Sequence, residues 1–111
     1  MKTKEVKQEI LPDGRHKIGD CAVDSGQLIL IDPCYLKEWK DDEFSSKKHK
    51  GKYKETGKLS YSEACAITMN RTAGTINKCA VVTNTGYGDG FYPVYANVKN
   101  GRVLSITVSF R

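Results

Sequence analysis

The chain has no run of 18 or more apolar residues, so no membrane-crossing helix is expected. Its N-terminal stretch "MKTKEVKQEILPDGRHK" carries charges where a secretory signal needs an apolar segment. A soluble, cytoplasmic protein is the expectation. Nor is there a metal-binding cysteine pattern. Cys21, Cys34, Cys65 and Cys79 are spaced 13, 31 and 14 residues apart, without a C-x-x-C pair, and only His16 and His49 could assist. Zinc is therefore not expected, and no other cofactor is indicated. In a reducing compartment the four thiols are expected to be free, each acting as a small hydrophobe. Recognised catalytic signatures are also lacking. Cys34 with His16 as its base would be a pair of single residues with no local motif around either.

The formal charge of +5 invites a nucleic-acid reading that its distribution weakens. Six of the 18 basic residues and one of the 13 acidic ones fall in "KKHKGKYKETGK", Lys47 to Lys58, which leaves the rest of the chain neutral. The basicity is one local tract, and lysine without arginine suits a solvated loop better than fixed phosphate recognition. Residues at about 40–59 are accordingly expected to form an exposed, lysine-rich loop.

What the chain does contain is strand patterning. In "RVLSITVSF", Leu104, Ile106, Val108 and Phe110 alternate with Val103, Ser105, Thr107 and Ser109, the period of a strand with one face on a core. "FYPVYANV" precedes it, and Lys99-Asn100-Gly101 supplies the Asn-Gly signal of a tight hairpin. Pro93 is expected at a strand start, a bulge or an edge. "GTINKCAVVTNT" reads as one further strand, and Leu28 to Ile31 as a strand buried on both faces, stopped by Asp32-Pro33. "KIGDCAV" reads as a strand ending at Asp24-Ser25-Gly26, with an N-terminal hairpin around Pro12-Asp13-Gly14. "YLKEW" suggests a helical turn. "SYSEACAITM" opens with Ser60 and Glu63 in capping-box spacing and favours a short helix, although its alternation also fits a strand. The expected fold is a single all-β domain over 1–111, a small antiparallel sandwich or barrel with one short helix. At this length it should bury roughly 65% of its unfolded surface.

Two loops are unusual. Asp24, Ser25 and Gly26 precede Asp32, Cys34 and Tyr35 across the apolar strand, while Gly86, Tyr87, Gly88, Asp89 and Gly90 lead to Tyr92. Each aspartate has a plain reading as a turn residue, because its side chain bonds nearby backbone. Asp32 would cap a turn after Pro33. Three glycines around Tyr87 and Asp89 exceed what a hairpin requires and would let backbone approach a ligand. "GYGDG" lies between strands, so it is neither a dinucleotide fingerprint nor a P-loop, both of which need a following helix.

The segments "VDSGQLILIDPCYL", "GYGDGFYPVY" and "GRVLSITVSF" together resemble a family of small uncharacterised proteins encoded by bacteria and their phages. The second segment is also similar to the C-terminal part of a wider bacterial domain of unknown function, which carries a comparable GDG-x-YPVY stretch. The resemblance implies a compact, mostly β domain in bacterial or phage cytoplasm and transfers no reaction.

Three functions are open at this point. The first is a non-enzymatic domain holding a small polar or nucleotide-like ligand at a rim built by Asp24 to Gly26, Asp32 to Tyr35 and Gly86 to Tyr92. Sequestration of a host signalling nucleotide would follow by analogy with small phage accessory proteins. The second is a nucleic-acid or protein interaction module using Lys47, Lys48, Lys50, Lys52 and Lys54. The third is a metal-dependent hydrolase using Asp24, Asp32 and Asp89.

Overall fold

The computed structural model describes residues 8–45 and 51–111. Its elements are six strands, β1 (Gly14–Val23), β2 (Gln27–Ile31), β3 (Ala73–Ile76), β4 (Ala80–Asn84), β5 (Gly90–Lys99) and β6 (Arg102–Val108), with one helix, α1 (Tyr61–Asn70), and a 3₁₀ helix over Pro33–Glu38. The strands form two three-stranded sheets, in the orders β1-β5-β6 and β2-β4-β3. This is the small, β-rich fold with one short helix that the patterning leads one to expect, and neither sheet closes into a barrel. The chain divides into two compact units, one of Val23–Gly90 and one of the flanking segments up to Ala22 and from Phe91.

In the flanking unit β5 and β6 pair antiparallel from Val94↔Val108 to Lys99↔Arg102. They turn through Asn100 and Gly101, both at positive φ (52° and 74°), as the Asn-Gly signal predicts. Pro93 lies inside the central strand rather than at an edge. It is tolerated there because β6 ends opposite it. Ser109 N–H donates to Pro93 O at 3.0 Å, and the proline returns no bond. Among the described residues the expected N-terminal hairpin has no first strand, since residues 8–12 form none. Instead Asp13 accepts from Asn100 N–H at 2.8 Å, so its carboxylate ties down the β5–β6 turn.

In the 23–90 unit, "GTINKCAVVTNT" is two strands, not one. β3 and β4 form a hairpin, closed by Cys79 N–H to Ile76 O at 2.9 Å, with Asn77 and Lys78 at positive φ. Without a glycine at either position the turn carries no strong sequence signal. The registers align rows across the sheet, Ile31–Ala80–Ile76 and Ile29–Val82–Gly74, on the face that receives α1. Ile67, Ile76 and Val82 are fully buried there, each contributing about 1.5–3 kcal/mol. β2 is not buried on both faces. Ile29 and Ile31 pack on this core, whereas Leu30 between them is 49% exposed.

α1 forms as its N-terminal signal predicts, with Ser60 Oγ accepting from Glu63 N–H at 3.1 Å. Asp42 adds a second cap, accepting from Ser62 N–H at 2.7 Å and Ser62 Oγ–H at 2.6 Å; these bonds hold its carboxyl below the usual pKa. The Glu63 side chain does not complete a capping box. It is buried and accepts from Thr56 N–H, Thr56 Oγ–H and Gly57 N–H at 2.8, 3.0 and 2.9 Å.

Those bonds tie the described part of this loop, after residue 50, to α1. Tyr53 exchanges two hydrogen bonds with the Asn70 carboxamide (2.7 and 2.8 Å), and Glu55 pairs with both terminal nitrogens of Arg71 (2.7 and 2.8 Å). Residues 53–57 are held along α1 because their polar groups find partners at both ends of the helix. Lys47, Lys48 and Lys50 lie outside the described residues, and Lys52 and Lys54 are exposed.

Gly74 is the position where α1 comes closest. A Cβ there would stand 2.9 Å from Ile67 Cγ2 and 2.9 Å from Arg71 Nε. Gly74→Ala is therefore expected to destabilise the protein by about 1–3 kcal/mol, read as a lower urea midpoint. A pH dependence follows from Glu55. Arg71, and after it Asn70, lower its pKa to about 2, so its contribution is complete above the unfolded value near 4.5 and is lost as pH falls through about 2. Glu55→Gln should flatten the acid limb of wild-type stability between those values, measured by urea unfolding at stepped pH.

Candidate functional site

The two unusual loops of the 23–90 unit meet. Gly26 N–H donates to Asp89 Oδ1 at 2.8 Å, and Thr85 N–H donates to Gly26 O at 3.1 Å. The glycine-rich loop is also closed on itself. Thr85, buried at the end of β4, donates its hydroxyl to Gly88 O at 2.7 Å and accepts from Tyr87 N–H at 3.3 Å. Gly26, Gly86 and Gly88 all adopt positive φ (69°, 79° and 77°), which accounts for their abundance in so short a segment. Asp89 is thus a clamp between the loops, and Tyr87 projects from the tip, 69% exposed.

Asp32, Cys34 and Tyr35 do not join them. They follow the opposite end of β2, roughly 20 Å along the strand from Gly26. Asp32 caps the 3₁₀ helix, accepting from Cys34 N–H at 2.9 Å, and that bond lowers its pKa. Desolvation, followed by the Asp32 carboxylate, raises the Cys34 pKa, which keeps the sulfur a thiol rather than a nucleophilic thiolate. Tyr35 is shifted upward as well, first by Cys79 and then by Cys34. Tyr92 belongs to the flanking unit, where it is buried and meets Phe110 edge to face at 5.3 Å. His16 is in that unit too, its Nε2 bonded to Pro12 O at 2.7 Å. Among the described residues no three His, Cys, Asp or Glu side chains are grouped to hold a metal ion.

Beneath the Ser25-Gly26 loop lies a groove. α1 packs on β3 and β4 and leaves part of the sheet face over β2 open. There the row following Ile29–Val82 is polar, pairing Gln27 with Asn84. Together with Ser25, Phe44, Cys65, Thr68 and Met69 they enclose about 290 Å³, near the lower limit for a small-molecule site. Across Ser25 and Gln27 a smaller apolar recess of about 80 Å³ reaches Trp39, Tyr61 and Ala64.

Hydrogen bonds preset the polar groups. Thr68 Oγ–H donates to Gln27 Oε1 at 3.0 Å, Gln27 Nε2–H to Cys65 Sγ at 3.3 Å, and Asn84 Nδ2–H to Thr68 O at 3.3 Å. Tyr61 has its pKa raised by a hydrogen bond with the Cys65 thiol. Of the sequence candidates, Ser25 alone lines this groove. Gln27 and Asn84 did carry a signal, since each stands where the inward alternation Ile31, Ile29 and Ala80, Val82 calls for another apolar residue.

A family match covers residues 14–108, with the description "Protein of unknown function (DUF4241)". The chain belongs to the DUF4241 family. The DUF4241 stretch runs from the first residue of β1 to the last of β6, and so spans both units. Neither a curated protein nor a solved structure gives a significant match.

Removing the clamp tests its structural role in this DUF4241 chain. Asp89→Ala should cost about 1 kcal/mol and speed hydrogen exchange at the Gly26 amide, whereas Asp89→Asn, which keeps an acceptor oxygen, should retain most of the protection.

Proposed function

We propose that the protein is a binding domain, not an enzyme, whose groove takes a small, neutral, planar ligand of nucleobase or carboxamide type. The observation that carries this reading is the lining itself. Two carboxamides (Gln27, Asn84) and two hydroxyls (Ser25, Thr68) face apolar Phe44 and Met69, with no charged side chain among them. Gln27 spends one hydrogen on Cys65 and one lone pair on Thr68, which leaves a donor and an acceptor side by side. Such a pair matches the edge of a base or a primary amide, and Phe44 or Met69 supplies a surface for the flat face.

Phosphate fits less well. The Gly26 amide, which an anion would need, is already given to Asp89, and that carboxylate repels negative charge. A nucleotide enters this reading through its base. Sequestration of a signalling nucleotide then requires the base to provide most of the affinity.

Calorimetry against nucleobases, nucleosides, nucleotides and primary amides tests the proposal. Binding should be nearly independent of salt, and Gln27→Ala should weaken it about tenfold, the equivalent of one hydrogen bond. An absence of binding across the panel, or unchanged affinity in folded Gln27→Ala and Asn84→Ala variants, would reject it.

A further inference from the structure

We infer that a second copy of this chain pairs along β6, joining two β1-β5-β6 sheets edge to edge about a two-fold axis. Among the described residues β6 is a terminal strand of its sheet, and Arg102 to Thr107 are all exposed. Val103, Leu104 and Ile106 are 58%, 60% and 49% exposed. The phase of its hydrogen bonds shows what that edge offers. Because Ser109 N–H bonds to Pro93 O, Thr107 and Ser105 turn their backbone groups toward β5, while those of Ile106 and Val108 turn outward. The outward edge is thus a set of strand donors and acceptors bordered by apolar side chains.

Edges of this kind are ordinarily blunted by charge, proline or a very short strand. β1, at the other edge of the same sheet, is blunted in this way by Arg15, Lys17 and Asp20, the last two paired at 3.1 Å. β6 carries no charge and no proline from Val103 to Val108. Its one irregularity, the register shift opposite Asn97 and Val98, lies toward the turn and leaves Ile106 to Val108 regular.

The occupant follows from self-complementarity. An antiparallel two-fold centred on Ile106 places that residue against its own copy and Leu104 against Val108 of the other. Apolar meets apolar, and outward amide meets outward carbonyl. A charged partner would find no counter-charge between Val103 and Val108. Moreover Ala96, directly paired with Ile106, is buried to 1%, so a second β6 continues an apolar row already covered at β5. The contact closes on itself and leaves the blunted β1 edges outermost.

Sedimentation equilibrium of the whole chain over a range of concentrations should show a reversible species of twice 12.4 kDa. Ile106→Lys should shift it to monomer with circular dichroism unchanged. On the wild type, the Ile106 and Val108 amides should gain hydrogen-exchange protection as concentration rises, a readout that survives if the variant misfolds. A monomer at every concentration, open-ended assembly, or a dimer unaffected by folded Leu104→Lys and Ile106→Lys variants would overturn the inference.

Discussion

The close approach of α1 to β3 at Gly74 is the constraint on which the 23–90 unit depends. With no side chain at Gly74, Ile67 can lie against the backbone and reach the row Ile76, Ala80 and Val82. A helix seated over β3 and β4 does not cover β2 to its end, and the groove is the uncovered part. The same seating brings Glu63 and Asn70 to the segment after residue 50, where they satisfy backbone groups of Tyr53, Thr56 and Gly57. A buried carboxylate with three donors is stable only as a set, since losing the loop would leave it without compensation.

Much of the fold was legible from local rules. The alternation in β6, the Asn-Gly turn and the Ser60 cap each acts over a few residues and needs no distant partner. The errors lie where a distant partner decides. Asn77 and Lys78 turn the chain without glycine because the β3–β4 ladder holds them. Asp13 carries the local signature of a turn residue but serves Asn100, 87 residues away. The segment after Gly51 is almost without apolar residues, and it is Asn70 and Arg71, far along the chain, that fix it.

The candidate site divides in the same way. That Asp24 to Gly26 and Gly86 to Asp89 are unusual was plain from glycine content, but that Asp89 spends its carboxylate on the Gly26 amide depends on a pairing 63 residues apart. Asp32 belongs with the 3₁₀ helix it caps, at the far end of β2. Gln27 and Asn84 each break an inward apolar alternation, but a single polar residue at a strand end reads equally as a boundary. Only the register of β2 on β4 shows the two to be one row.

The Asp89 clamp has a topological consequence. β1 and β5 are neighbours in their sheet, and everything from Val23 to Gly90 is threaded between them as an insertion. The outgoing and returning chains pass at Gly26 and Asp89, held together by one hydrogen bond and by Thr85 N–H to Gly26 O. In that light "GYGDG" is a clasp: its positive-φ glycines let the chain double back to Gly26, and its aspartate fastens the two ends of the 23–90 unit side by side.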